Sequence, residues 1–385
     1  MEYTKDLPSP ELYRKWGGIA AIAGALERKV WIYIPRVMKD LYPGMYTVLA
    51  GPPAVGKTIV TSIVQELWTK LTDHHIAPTS VSRASLMDAL YKAERSIVMP
   101  QNNPPVVRFN SLLIIANELG GFIPVYDSEF MNTLTDIWNG YRYAEKKRGK
   151  DLDYAMSHPQ LNILAGTTPS YLNELMPTGA WDQGFISRTM LVYSAEPVAK
   201  GLFDGLHRDQ DQFNALLNDL RIIGALYGKM VFTADAALAI AKWDALKGPP
   251  TPDHPKLIHY LGRRTEHLLK LCMVSSVSKR DNLIIDIEDY NEALSWLLEA
   301  EAAMPDIFKT MAVGGDARAV EDTYYYAYQI YAKTKEPVSE EKIMEYLSNR
   351  VPAHSCERIL QVMVKAGLLS KGIDGYKPRV RAPGL

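Results

Sequence analysis

The sequence reads Gly51-Pro52-Pro53-Ala54-Val55-Gly56-Lys57-Thr58 at the point that decides its fold. This octapeptide matches the pattern GxxxxGK[ST], follows the apolar run Tyr46 to Ala50, and precedes a segment of helical periodicity that ends near Leu71. A strand, a loop and a helix in that order predict a phosphate-binding loop, whose backbone amides, including that of Ile59, wrap the phosphates of ATP. We expect Lys57 to reach the β and γ oxygens and the Thr58 hydroxyl to ligate Mg²⁺.

A second buried strand supplies the acid that hydrolysis needs. The run Leu112 to Ala116 ends in Asn117-Glu118, and ligands of open α/β sheets collect at the carboxyl ends of the strands. Glu118 is therefore predicted to polarise the attacking water. Asn117 stands where an Asp would usually help to hold the magnesium shell, and because an amide brings no charge, it predicts weaker metal binding. The alternative is that Glu118 merely ends a strand at the surface.

Two further segments contribute candidates. The strand Leu161 to Ala165 ends in a Gly-Thr-Thr-Pro sequence, and a hydroxyl at that end can contact the γ-phosphate or the water. Thr168 is the first choice and Thr167 the second, unless both only cap the next helix. Arg188 precedes the strand Thr189 to Tyr193 and is predicted to be an arginine finger for a neighbouring subunit's nucleotide, with a local salt bridge as the alternative.

The order of apolar segments predicts an α/β fold with a parallel sheet at its core. Short apolar runs alternate with helical stretches across residues 41 to 198, as in strands joined by crossovers. Residues 1 to 40 form a lead-in, with a helix from Leu12 to Glu27 and a strand at Val30 to Ile34. Residues 199 to 313 have helical periodicity and predict a helical lid. Its helices are predicted at 213–226, 236–246, 257–278 and 287–303.

The motifs in this order resemble those of the AAA+ P-loop ATPases, and more narrowly the presensor-hairpin branch that contains the minichromosome maintenance helicases. The loop is close to GPPGxGKT, with Ala54 in place of a glycine. The segment 163–169 looks like the sensor-one strand, and Ser187-Arg188 looks like the finger motif. The segment beginning Arg263-Arg264 is similar to the sensor-two helix, so either arginine is a candidate for the γ-phosphate, and Arg264 is favoured.

The chain also looks like the primase-helicase-like ATPases of phages and mobile elements. Shared features are the Ser82–Leu86 segment, the acidic strand end, Trp138-Asn139-Gly140, and the two segments around Thr168 and Arg188. The resemblance covers about residues 45 to 300. It implies ATP and Mg²⁺ as cofactors, and a homo-oligomeric ring, a hexamer, in the replication of phage or mobile-element DNA.

A basic segment lies between Glu118 and the Leu161 strand. Its two strand-like arms and glycine-bearing tip predict a hairpin. In the ring-shaped relatives that the resemblance implies, such a hairpin points into the central pore and its basic residues grip a phosphate backbone. A solvated charged loop is the alternative. The predicted nucleic-acid-binding residues are Lys146, Lys147, Arg148 and Lys150.

Residues 314 to 385 resemble a winged-helix domain. The glycines at 314 and 315 predict a joint, followed by helices at 316–332, 339–350 and 355–366 with Ser355 as the N-cap of the last, and by a β-wing that turns at 372–375. Such domains bind DNA or dock proteins, and the acidic second helix keeps docking of replication proteins open.

Bulk properties exclude several classes of protein. The 385 residues are 47% apolar and 23% charged, and their net charge of -1 gives no overall attraction toward nucleic acid, which leaves local basic patches. Two cysteines far apart in sequence argue against a disulfide framework or a zinc site. No apolar run approaches the ~20 residues that span a bilayer, and the acidic start lacks a signal-peptide pattern. We expect a cytoplasmic protein, in a bacterium or an infected host cell, without a membrane partner.

Together these features predict an ATP-dependent nucleic-acid translocase or helicase that binds single- or double-stranded DNA. Two alternatives stay open: a helicase loader or replication initiator that hydrolyses slowly, and a non-catalytic, ATP-gated DNA-binding scaffold. The sequence leaves open the translocation polarity, the choice between DNA and RNA, and the ring size.

Overall fold

The structure is a computed structural model. It describes residues 2–78, 81–98, 103, 105–125, 127–146, 153–175, 184–201, 209–348, 351, 353–372 and 374–379. The chain forms two compact units, Met1–Ile307 and Phe308–Leu385. Within the described residues, none of the helices is both long enough and apolar enough to cross a bilayer.

A five-stranded sheet forms the core of the first unit. Its strand order is β4-β5-β8-β3-β9, and β3, β5, β8 and β9 run parallel. Every residue of β3, β8 and β9 is buried, as expected for strands covered on both faces. The strands are β3 (Tyr46–Ala50), β4 (Glu94–Val98), β5 (Val106–Ala116), β8 (Pro159–Thr167) and β9 (Thr189–Tyr193).

The predicted parallel sheet is thus confirmed except at one edge, where β4 runs antiparallel to β5. The sequence does not predict β4, because its residues alternate between exposed and half-buried and form no apolar run. Predicted and observed bounds are identical for β3 and β9. The strands β5 and β8 extend further toward their amino ends than the apolar runs suggest, because polar residues such as Asn110 and Gln160 are buried within them.

Helices and smaller sheets surround this core. The helix α1 (Glu11–Leu26) packs against α2 (Lys57–Thr69), and β1 (Val30–Ile34) pairs with β2 (Lys39–Leu41) and with β10 (Gly228–Lys229). Shorter helices and a hairpin connect the strands. They are α3 (Arg83–Lys92), α4 (Leu119–Phe122), α5 (Ser128–Trp138), β6 (Tyr143–Lys146), β7 (Asp153–Met156), α6 (Pro169–Leu175) and α7 (Gly184–Ser187).

The region after β9 is mainly helical, as predicted. Its helices are α8 (Gln210–Ala225), α9 (Ala234–Ala245), α10 (Ile258–Leu261), α11 (Arg264–Val277) and the start of α12 (Ile287–Thr334). A short parallel pair, β11 (Val231–Phe232) with β12 (Ile284–Ile285), joins this region and has no signal in the sequence because each strand has only two residues.

The sequence predicts separate helices at 287–303 and 316–332 with a joint at Gly314-Gly315, and this is wrong: α12 is one helix of 48 residues. A glycine inside a helix costs only about 1 kcal/mol relative to alanine, so two of them do not end a long helix. The second unit then contains α13 (Glu340–Ser348), α14 (Ala353–Lys365) and the hairpin of β13 (Leu369–Gly372) with β14 (Gly375–Pro378). The predicted N-cap Ser355 lies inside α14, because the helix begins two residues earlier.

Candidate active site at the carboxyl edge of the sheet

The loop Gly51–Gly56 connects the end of β3 to the start of α2. Helix α2 begins without a side-chain cap, so the amides of its first turn have no partner from a capping residue. Thr58 is exposed on this turn and Ile59 is half-buried. Free amides at the positive end of a helix bind anions, and the loop therefore has the form of a phosphate site.

Two residues of the loop have left-handed backbone conformations. Gly56, at the N-cap, has a φ of 87°, and Ala54 has a φ of 64°. Glycine adopts this region freely, whereas a residue with a β-carbon does so at a cost of roughly 1–2 kcal/mol. Ala54 replaces the glycine of the related motif, and the exposed loop retains the left-handed turn despite that cost.

Lys57 is buried at 5% exposure and its ammonium folds back on the loop. Its Nζ donates to the carbonyl oxygens of Gly51 and Pro52, each at 2.7 Å. Burial lowers the pKa of Lys57, and the charge of Glu118 opposes that shift. The ammonium therefore lies at the predicted phosphate site with a carboxylate across from it.

Tyr13 of α1 fixes the entrance of the loop. Its hydroxyl lies 2.5 Å from the carbonyl oxygen of Ala50 and 2.8 Å from that of Ser194, shares its one proton between them, and accepts from the Ser194 amide at 3.1 Å. Position 51, which follows Ala50, must be glycine because a β-carbon there would collide with the Tyr13 hydroxyl and the Ser194 carbonyl. Burial raises the pKa of Tyr13, so its hydroxyl stays protonated. Sequence analysis missed Tyr13, because nothing in a helix of ordinary periodicity marks one tyrosine as a contact of a distant loop.

The end of β5 places Asn117 and Glu118 beside the loop. Asn117 Oδ1 accepts a hydrogen bond of 2.6 Å from the hydroxyl of Thr61, one turn after Thr58 on α2. This contact orients the amide that sequence analysis assigned to the magnesium shell, and Thr61 is a second residue that it missed. Glu118 is exposed, lies two residues after the end of β5, and acts on Lys57 through its charge.

The end of β8 lies between the two other strand ends. Thr167 is fully buried, and its carbonyl accepts from the Gly51 amide at 3.2 Å. Thr168 is half-buried, and its hydroxyl oxygen accepts from the Tyr171 amide at 3.3 Å, which caps α6. Thr168 therefore caps the next helix, as the alternative prediction has it. This bond does not use the hydroxyl proton of Thr168, which is still available for donation.

The structure does not bring Arg188 to the loop of its own chain. Arg188 precedes Thr189, which pairs with Tyr46 at the opposite end of β3, about 16 Å from the loop by the rise of a strand. The side chain is 8% exposed, and its guanidinium donates to the Gly184 carbonyl at 2.8 Å. Burial lowers its pKa, and so does the charge of Arg263. A role at a nucleotide remains a prediction for a neighbouring subunit only.

Arg264 is held elsewhere. It forms a buried pair with Glu301 through Nε (2.7 Å) and a terminal nitrogen (2.6 Å), and it also donates to the carbonyls of Gly248 and Pro250. Among the described residues, the hydrogen-bond partners of the Arg264 guanidinium all lie between positions 248 and 301, and none belongs to the phosphate loop. Arg263 is half-buried and pairs with Glu266 at 3.0 Å.

The two arms of the predicted basic hairpin are observed as strands. Strands β6 and β7 pair antiparallel from Tyr143 with Met156 to Lys146 with Asp153. The predicted nucleic-acid-binding residues Lys147, Arg148 and Lys150 lie outside the described residues, and only the backbone of Lys146 is described.

The chemical groups at this edge are of the types that triphosphate binding and hydrolysis require. Amides and an ammonium lie on the side of the loop, and an exposed carboxylate lies across from them. Among the residues that the structure describes, no three His, Cys, Asp or Glu side chains gather to hold a metal ion. The predicted magnesium ligands, Thr58 and Asn117, are of a different type, and in such sites phosphate oxygens and water complete the coordination.

Comparison of the sequence with models of protein families gives no match, and comparison with curated proteins gives no significant match either.

Proposed function

We propose that this protein is an ATP-hydrolysing P-loop ATPase of the AAA+ type that moves or remodels nucleic acid. The observation that carries the proposal is Lys57, whose ammonium is bonded to the first carbonyls of the loop and faces the charge of Glu118. A lysine at that point neutralises the β and γ oxygens of a bound triphosphate. We propose that phosphate oxygens replace the carbonyls of Gly51 and Pro52 as partners of the ammonium when a nucleotide binds.

The strand order supports a role for Glu118 as the residue that orients water. Strand β8 separates β3 from β5, so the carboxylate lies about 10 Å to the side of the loop strand. That separation leaves space for a γ-phosphate and a water between the ammonium and the carboxylate. We propose that the hydroxyl of Thr168, just after β8, donates a hydrogen bond to the γ-phosphate.

The remaining parts of the proposal concern assembly. A homo-oligomeric ring, a hexamer, would bring Arg188 of one subunit to the nucleotide of the next, and a guanidinium there stabilises the charge of phosphoryl transfer. Because Arg188 is buried in the single chain, ring formation must expose it. The β6–β7 hairpin then carries its basic tip toward a strand of DNA, and the C-terminal unit is proposed to act as a winged helix that binds DNA or replication proteins.

One observation favours a second candidate, an ATP-gated scaffold that binds nucleotide without turning it over. Asn117 contributes an amide rather than a carboxylate to the predicted magnesium shell, and its oxygen is already bonded to Thr61. Weaker metal binding would slow hydrolysis while leaving the loop's amides free to bind ATP. A helicase loader with slow turnover lies between the two.

Nucleotide binding and hydrolysis by the wild type and by Lys57→Ala, with and without single-stranded DNA, test the proposal. We expect Lys57→Ala to lose ATP binding and turnover while its melting temperature stays close to that of the wild type. Strong stimulation of hydrolysis by DNA supports the motor, whereas binding without turnover supports the scaffold. If Lys57→Ala binds and hydrolyses ATP as the wild type does, the phosphate loop is not the nucleotide site and the proposal fails.

A further inference from the structure

A cleft lies at the amino end of the sheet, far from the phosphate loop. It has a volume of about 490 Å³ and is formed by the lead-in strands, by the start of β5 and by the segments before β8 and β10. Val107 in its wall is nine residues before the end of β5, which places the cleft about 30 Å from the carboxyl edge by the rise of a strand. Its volume falls within the usual range of small-molecule sites.

Aromatic rings line one side of the cleft. Trp31 meets Tyr227 edge to face, with ring centroids 5.4 Å apart, and lies 6.4 Å from Tyr42. All three side chains are half-buried, so each has part of its surface open to the cleft. Edge-to-face rings do not cover each other fully, which leaves aromatic surface on which a planar ligand can stack.

Arg28 gives the cleft a half-buried positive charge. Its guanidinium lies 3.7 Å from the centroid of the Tyr42 ring, and burial lowers its pKa. No carboxylate of the described residues lies within ion-pair distance of it; burial affects its pKa more than the charge of Asp40 does, and its guanidinium donates a hydrogen bond to the Tyr42 hydroxyl. A partly desolvated cation without an ionic partner costs free energy, and an anion bound beside it would compensate that cost.

The other polar groups of the cleft differ in charge. Lys229 is exposed at the rim, with its ammonium 5.2 Å from the ring centroid of Tyr33. Burial lowers the pKa of His158, and the charge of Arg28 lowers it further, so the imidazole is neutral at pH 7. Asp40 is the acid in the lining, and its charge acts on Arg28.

We propose that this cleft binds one nucleotide unit, with its base stacked on Trp31 and its phosphate between Arg28 and Lys229. Rings that stack a base next to cations that bind a phosphate are the chemistry by which proteins hold unpaired nucleotides. The unit can come from a single strand of nucleic acid or from a free mononucleotide. The proposal goes beyond the ATPase activity and does not depend on the phosphate loop.

Binding of a fluorescein-labelled oligothymidylate of about eight nucleotides, a typical site size for single-strand binding, tests the first source. We expect Arg28→Gln and Trp31→Leu to weaken binding roughly tenfold each, since base stacking and a charge-assisted contact are worth that much or more. Lys229→Glu, at an exposed position that does not threaten folding, should weaken it about fivefold. The control is Lys242→Glu, the same charge change at an exposed position of α9 outside the cleft.

Titration of dTMP into protein carrying Lys57→Ala tests the second source without interference from the phosphate loop. If Arg28→Gln abolishes the binding of dTMP, the result supports a free mononucleotide as ligand. If Arg28→Gln weakens only the binding of the oligonucleotide, the result supports a strand. A strand of the same length without bases must bind more weakly than oligothymidylate. The proposal is overturned if the abasic strand binds equally well, or if Lys229→Glu matches Lys242→Glu for both ligands.

Discussion

A buried lysine and a buried tyrosine lie near each end of strand β3. At the carboxyl end, Lys57 donates to the Gly51 carbonyl and Tyr13 to the Ala50 carbonyl. At the amino end, Lys270 donates to the Gly44 carbonyl, and the hydroxyl of Tyr46 donates to Leu134 at 2.8 Å. Near each end of β3, a lysine and a tyrosine thus donate to backbone carbonyls.

The surroundings of the two lysines differ. Lys57 adjoins an exposed loop and an exposed carboxylate, so a ligand can displace its carbonyl partners. Lys270 is 2% exposed, and its ammonium lies 3.4 Å from the centroid of the Trp138 ring, beside a cavity of about 20 Å³. Such a cavity holds about one water molecule. Each lysine has an acid nearby, Glu118 for Lys57 and Glu266 for Lys270, so the two differ in the open space beside the ammonium.

The largest effect should come from the carboxyl end. Glu118→Gln keeps the size of the side chain and removes its charge, so we expect ATP to bind with little change while kcat falls by roughly 10²–10⁴, the usual contribution of a positioned base. Steady-state hydrolysis and nucleotide titration measure the two quantities separately. Glu196→Gln, at another exposed position just after β9, is the control. Equal kcat values for the two variants would remove Glu118 from the mechanism.

At the amino end, we expect a pH effect on stability. Burial lowers the pKa of Lys270 to about 7, partly opposed by Glu266, while Lys39, Arg263 and Arg188 lower it further. The unfolded chain then binds more protons than the folded chain between pH 7 and about 10.4, so the free energy of unfolding rises with pH in that window. Relative to Lys270→Met, the wild type should gain stability as pH rises above 7, by at most about 1.4 kcal/mol per unit.

Denaturant unfolding of both proteins at several pH values measures this difference, and the exposed Lys242→Met controls for the loss of one lysine. The sign is decisive. If the stability of the wild type relative to Lys270→Met stays constant or falls above pH 7, the ammonium of Lys270 remains charged in the folded protein. Desolvation would then not explain the difference between Lys270 and Lys57.

The two ends also differ in how far the sequence predicts them. A local motif specifies the carboxyl end: the loop, Lys57 and Glu118 follow buried strands, and parallel strands bring their carboxyl ends together. The amino end and the aromatic cleft are built from residues such as Arg28, Tyr227 and Lys270, which are far apart in sequence and follow no spacing rule. Buried pairs such as Arg264 with Glu301 are equally invisible, because the motif that suggests a phosphate contact for Arg264 contains no information about its partner.

The tyrosines give the smallest and most discriminating test. Tyr13→Phe and Tyr46→Phe each remove one buried hydroxyl and leave at least one carbonyl without its partner, so both should lower the free energy of unfolding by about 1–3 kcal/mol. Only Tyr13 touches the entrance of the phosphate loop. We therefore expect Tyr13→Phe to weaken ATP binding roughly three- to tenfold, as for the loss of about 1 kcal/mol, and Tyr46→Phe to leave it unchanged. Equal affinities in the two variants would mean that α1 supports the fold without positioning the loop, whereas a loss in Tyr13→Phe alone would extend the nucleotide site to a helix that carries no recognisable motif.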